Sequence, residues 1–351
     1  MIGRFLLAGY LIMAFAGCKD RFEFVGTGLK HNLIVDATLS NSPDPQYVKL
    51  SMTGDARRPP EPYSGALVWV SDDAGNSEYM LDLGDGRYLF RRSQVIPHFG
   101  PSYTLEILLP DGRHYQSAAT ERMGEQQAED ELSFEIVKDR IVSSEGIPVD
   151  NTNVKIYLNT TLPKESTPAY LRWAIDEVYT IKPTCAPFAI ECPPYCFIYQ
   201  DVSTANITMV KTTDYTRSRL ERVLLQNRNV DYSFMIRHFF NVTQYTMSES
   251  AYQYWKKVQL LTQRTGSLFD PPPALVRGNM VNVNDPTETV YGYFEVPAAR
   301  LNRIYVDRGF IPVDITNCDW SPFYYAGNPY SYCTNPFAIK GSTIERPSWF
   351  F

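Results

Sequence analysis

The chain has 351 residues, of which 44% are hydrophobic and 21% charged, an ordinary balance for a globular protein with a real core. Its net charge is −6, and no basic cluster is longer than Arg57-Arg58, Arg91-Arg92 or Lys256-Lys257, which excludes nucleic acid and anionic membrane surfaces as charge-driven partners. Aromatic residues reach 14%, with 24 Tyr and 19 Phe, and Pro outnumbers Gly by 25 to 20, a composition that favours β structure with long, shaped loops.

The first element is a leader. Arg4 precedes an apolar run from Phe5 to Ala16, broken only by Gly9 and Tyr10 and too short to span a bilayer as a permanent helix. The ending Phe15-Ala-Gly-Cys18 resembles the lipobox of bacterial lipoproteins, which implies cleavage ahead of Cys18 and acylation of that cysteine. Several acyl chains, at about 0.8 kcal/mol per buried methylene, would hold the protein to a membrane almost permanently. Residues 1–17 are therefore expected to be a lipoprotein signal peptide and 18–30 a lipid-anchored tether. The mature protein would work at a membrane surface outside the cytoplasm.

Strand patterns begin at His31. Leu33–Leu39, Tyr47–Met52 and Ala66–Val70 are followed by Asp- and Gly-rich turns at 72–76 and 82–86, and Asp111-Gly112 separates Tyr103–Leu108 from Arg113–Tyr115. Asp-Gly between apolar runs is a strong hairpin signal, and short strands at this spacing predict an immunoglobulin-like β-sandwich over 31–125. The Asp clusters read as turn chemistry, since neither fits a twelve-residue calcium loop.

The polar stretch Thr120–Asp130, with Glu121, Glu125, Glu129 and Asp130, marks the expected boundary. A larger antiparallel β domain over 126–351 follows, with strands at Leu132–Val137, Val154–Leu158, Tyr170–Ile181, Ala205–Val210 and Val230–Phe240. Arg172, Asp176 and Glu177 alternate with apolar residues as in a half-exposed strand. One amphipathic helix is expected near 248–264, capped by Thr246 and Glu249, with Ala251, Trp255, Val258 and Leu261 on one face and Trp255 as core anchor.

Beyond Cys18 five cysteines remain: Cys185, Cys192, Cys196, Cys318 and Cys333. An oxidising envelope makes disulfides the default, and the odd count leaves one thiol over. The expected bridges are 318–333, worth about 3 kcal/mol if unstrained, and one drawn from Cys185, Cys192 and Cys196. Two prolines stiffen Cys192–Cys196 and no histidine lies beside it, so no metal and no cofactor is expected there or elsewhere. Catalytic motifs are absent: no Gly-x-Ser-x-Gly, His-Glu-x-x-His, phosphate loop or dinucleotide fingerprint occurs. The four histidines, His31, His98, His114 and His238, lie far apart and read as strand or turn residues without a catalytic role. A glycosidase needs only two facing carboxylates, but nothing selects a pair.

One local feature is sharp. Trp320, Phe323, Tyr324, Tyr325, Tyr330 and Tyr332 crowd the loop between Cys318 and Cys333. Such rings serve as interface anchors or sugar platforms, or fold back as a satellite core; the sequence leaves both open.

A succession of segments then carries a family likeness. It runs through Tyr245–Trp255, Gly266–Pro273, Gly278–Pro286, Val290–Phe294 and Arg346–Phe350, with Tyr63–Val68, Gly86–Tyr88 and Asp111–Ser117 earlier. Their order resembles the Bacteroidota outer-membrane lipoproteins that carry domain of unknown function 4249. The resemblance implies a lipoprotein encoded beside TonB-dependent transporters and supplies no catalytic residues. In the family's usual ending two cysteines lie close together; here the aromatic insertion separates Cys318 from Cys333. The expectation is a non-enzymatic accessory lipoprotein of the outer membrane, facing the cell surface. It would be a ligand-capturing or lid-like partner of a TonB-dependent β-barrel transporter or another outer-membrane complex. A surface glycan-binding or adhesion module is the alternative, and a hydrolase a third.

Overall fold

Apolar residues at every second position of Leu33-Ile-Val-Asp-Ala-Thr38 put Leu33, Val35 and Ala37 on one fully buried face of β1 (Leu33–Thr38). The same rule builds both halves of the chain. The computed structural model describes residues 31–54, 59–118, 121–124, 128–142, 146–164, 167–182, 194–201, 207–262, 276–315, 339 and 341–350. The leader, the tether, Cys185, Cys192, Cys318, Cys333 and the six rings of the aromatic loop lie outside them.

The first sandwich is two facing sheets. One contains β1, β2 (Gln46–Met52), β3 (Glu61–Pro62), β6 (Leu81–Asp82) and β7 (Arg87–Phe90); the other contains β4 (Leu67–Asp72), β5 (Ser77–Tyr79), β8 (Ser102–Leu108), β9 (His114–Ser117) and β10 (Glu121–Arg122). Val35, Leu50, Tyr88 and Phe90 from one sheet meet Val68, Val70, Leu105, Ile107 and Tyr115 from the other. Asp111-Gly112 makes the expected hairpin between β8 and β9: Gly112 has φ 89° and Leu109 N donates to Arg113 O at 2.9 Å. The Asp turns also hold as turns, with Asp72 accepting from Ala74 N and Asn76 N.

Each sheet of this sandwich is finished by a strand from much later in the chain. β18 (Met280–Asn282) pairs with β9, and β19 (Tyr291–Glu295) runs parallel to β1 with Val35 opposite Gly292. Met280 and Phe294 are buried in the same core. The boundary expected at 125 is thus crossed by residues 280–295, which return to the first sandwich.

The second sandwich pairs a three-stranded sheet, β11 (Glu129–Val142), β12 (Pro148–Thr161) and β16 (Arg219–Asn229), with a larger one. The larger sheet has the order β20-β17-β13-β14-β21, with β15 (Thr208–Lys211) also on β13; the ranges are β13 Tyr170–Ile181, β14 Cys196–Asp201, β17 Arg237–Met247, β20 Ala298–Asp307 and β21 Ser342–Thr343. Val154, Ile156, Leu158 and Leu225 pack across to Leu171, Trp173, Phe240, Val242 and Val306. The fold is mostly β, as the composition predicts.

Four local expectations change. The strand expected at Val230–Phe240 is a 3-10 turn, Tyr232–Phe234, followed by β17. β13 is covered on both faces, so Arg172 and Glu177 are buried, 7% and 2% exposed, rather than half exposed. The strand expected at Ala205–Val210 begins at Thr208 in β15, with residues 205 and 206 outside the described residues. The single α-helix among the described residues, α1 (Glu249–Thr262), is capped by Ser248, whose Oγ accepts from Ala251 N, while Thr246 belongs to β17.

Helix α1 and the chain's end cover the outer face of the large sheet. Ala251 and Tyr252 pack on Tyr170 and Met247, and Trp349 and Phe350 pack on Val178, Phe197 and Phe239.

Candidate functional site

In β4 the alternation that buries Val68 and Val70 turns Leu67 and Trp69 outward. Register then aligns Tyr79 of β5, Trp69 of β4, Glu106 of β8 and Gln116 of β9 in one row across four strands. His114 sits two pairs further along on the same face, opposite Leu108. The result is a ring-bearing face on the solvent side of the first sandwich. Tyr79 is 63% exposed and Leu67 56%.

The rings are held in place. Glu106 accepts from the Trp69 indole N–H through Oε1 at 3.1 Å, and its Oε2 lies 3.1 Å from His114 Nε2. Trp69 and His114 are near-parallel, 19° apart with centroids at 5.8 Å, and Tyr79 leans on Trp69 at 39° and 5.6 Å. One carboxylate therefore holds the polar edges of two half-buried rings, with the exposed Tyr79 beside them.

Three further ionisable clusters are internal. Where the two sandwiches meet, Arg172 Nη2 of β13 donates to Glu295 Oε1 of β19 at 2.6 Å, Thr38 Oγ1 donates to the same oxygen, and the Trp255 indole donates to Oε2 at 3.1 Å. The Arg172 guanidinium lies between the Trp255 and Tyr245 rings, at 4.1 and 4.7 Å. Trp255 thus anchors α1 by gripping a buried ion pair as well as through apolar packing. Beside it, Glu121 of β10 accepts from Tyr293 Oη at 2.8 Å, Ser248 Oγ at 2.6 Å and Ser250 Oγ at 3.2 Å. Burial pushes the Glu121 carboxyl above its ordinary value; the three hydroxyl donors offset part of the rise and the Glu295 charge adds to it. The polar stretch expected to be a solvated linker thus supplies a buried carboxylate, 2% exposed.

Inside the second sandwich, Glu177 meets Arg228 Nε at 3.1 Å, and His238 Nε2 stands at the same distance but off the line of a good hydrogen bond. Burial alone would raise the Glu177 carboxyl; the neighbouring His238 and the Arg228 charge outweigh it and hold the carboxyl below its ordinary value. His238 is fully buried, stacked at 4.2 Å on Phe234. Among the described residues no three metal-ligating side chains converge, and no helix is long and apolar enough to cross a membrane.

Of the residues expected as lipidation, disulfide or binding sites, Cys196 lies within the described residues. It is a buried free thiol there, and its expected bridge partners Cys185 and Cys192 lie outside them. Burial raises its pKa against the opposing hydrogen bonds of Thr343 and Ser342. The Trp69 face carries a sequence signal of its own: Trp at an outward position between Val68 and Val70.

The family defined by the domain of unknown function DUF4249 matches residues 19–300. The chain belongs to that family. This DUF4249 protein thereby carries the domain through both sandwiches as far as the start of β20. No curated protein and no solved structure matches it.

Proposed function

We propose that this DUF4249 protein is a non-enzymatic accessory lipoprotein of the outer membrane, anchored through Cys18, which captures a ligand for, or forms a lid over, a TonB-dependent transporter. The observation that carries the reading is the Trp69–Tyr79–His114 face, half exposed and preset by Glu106. A fixed ring face suits contact, whereas the clusters that could move protons, at Glu121, Glu177 and Glu295, are enclosed in packing. A lipid tether confines the protein to a two-dimensional layer, so modest contacts suffice to hold a complex with a membrane neighbour. A surface glycan-binding or adhesion module is the second reading, favoured by the same rings. The test is co-purification: tagged native protein extracted in mild detergent is expected to elute with a TonB-dependent β-barrel. Repeated elution without a barrel above background would overturn the transporter partnership.

A further inference from the structure

We infer that the outer face of the β5-β4-β8-β9 sheet is a binding platform for an uncharged saccharide chain, with Trp69, Tyr79 and His114 as its stacking surface. The inference deepens the proposed function, resting on the view that the protein captures a ligand, and it places the capture site in the first sandwich.

Three properties of the face select this chemistry. First, the rings are positioned before any ligand arrives. Trp69 and His114 have their polar edges on the two oxygens of Glu106, and Tyr79 leans on the indole from the exposed side. Preset rings lose little freedom when a ligand lands on them, and they offer faces, which suit the C–H surface of a pyranose. Second, charge matches a neutral ligand. The two oxygens of Glu106 are taken up by the Trp69 indole N–H and the His114 ring nitrogen, and an anionic ligand would meet this carboxylate unfavourably. Third, hydrogen-bonding groups stand in register with the rings. Gln116 lies opposite Glu106 in the row of Trp69, and Thr104 occupies the next outward position along β8. A ligand with apolar faces and hydroxyl edges satisfies both kinds of group, while a purely apolar partner would bury the amide and the hydroxyl unpaired. The face is a sheet surface rather than a pit, so a chain can run across it without its ends being enclosed.

The test is affinity electrophoresis of the full mature protein in native gels cast with amylopectin, xyloglucan or galactomannan, with polygalacturonate as the charged control. At least one neutral polymer is expected to retard the protein, undiminished by 0.5 M salt, and polygalacturonate is not. Tyr79→Ala, at an exposed position, is expected to weaken retardation at least tenfold, and Trp69→Ala likewise, with unchanged melting of Tyr79→Ala showing that the fold survives. Absence of retardation by all three polymers, or retardation that persists in the double variant, overturns the proposal. If the polymers fail and Tyr79→Ala instead removes the co-purifying barrel, the face is a protein interface and the accessory function stands. If the polymers bind and no barrel co-purifies, the platform stands and the transporter partnership falls.

Discussion

Arg172 and Glu295 lie 123 residues apart in sequence and meet at 2.6 Å, where β13 of the second sandwich faces β19 of the first. Side chains of both are almost wholly buried, so neither charge has water to fall back on. A buried pair broken on one side typically costs about 3–5 kcal/mol, whereas replacing both partners costs far less. Arg172→Met and Glu295→Met are each expected to lose stability in that range, and the double variant much less than their sum. Urea unfolding of the four proteins measures this. Singles that cost under about 1 kcal/mol would show that the junction does not depend on the pair.

Glu121 makes the same junction sensitive to pH. Its folded carboxyl is raised by burial, so the folded state holds the proton to higher pH than the unfolded chain does. The contribution is therefore fullest below the ordinary value of 4.5 and is lost as pH rises through the raised folded value. Glu121→Gln removes the titration, and its melting temperature relative to wild type should climb between pH 4 and pH 8. Glu177, lowered in the fold, changes both proteins alike and cancels from the comparison. An offset that does not move with pH would contradict the assignment.

Gly292 allows the late strand to enter the first sandwich. It has φ 82°, and a Cβ there would collide with the Val35 carbonyl of β1. A left-handed non-glycine residue costs about 1–2 kcal/mol before any clash, so Gly292→Ala should destabilise by more than that. Gly309→Ala, whose Cβ would meet nothing within 4 Å, is the control and should leave stability nearly unchanged. Equal melting temperatures for the two variants would refute the close-approach argument.

The free thiol of Cys196 gives a chemical count. With Cys18 acylated, the free Cys196 is expected to be the unpaired member of the remaining five and the other four to form bridges. Alkylation under denaturing, non-reducing conditions should then label one thiol, at Cys196. The native protein should react slowly, because burial raises this thiol and shields it. Five labelled thiols in protein from an oxidising compartment would contradict the bridges.

Local chemistry made much of the architecture legible. The apolar density of Tyr170–Ile181 gave β13 its full range, Asp111-Gly112 gave a hairpin, and the residues after Ser248 gave a helix. What escaped were features decided by distant contacts. β16, with Arg219, Glu221, Arg222 and Arg228, is an edge strand whose charges meet Glu131, Glu135 and Glu177 across the sheets, so its residues carry little apolar period. Nothing in Tyr291–Glu295 says which sheet it joins; that depends on a glycine lying against a backbone 257 residues earlier. Glu121 looked like a solvated linker because its donors, Tyr293, Ser248 and Ser250, come from beyond residue 247. The ring face was half visible: strand alternation turns Trp69 outward, but only the sheet order brings Tyr79 and His114 to it.

A membrane tether at Cys18 is tested most directly by the mass of the mature amino terminus. Protein extracted from native membranes should lack residues 1–17 and carry acyl chains on Cys18, and Cys18→Ala should appear in the soluble fraction still folded. An unmodified thiol at Cys18, or a Cys18→Ala variant that still pellets with the outer membrane at high salt, would contradict the account.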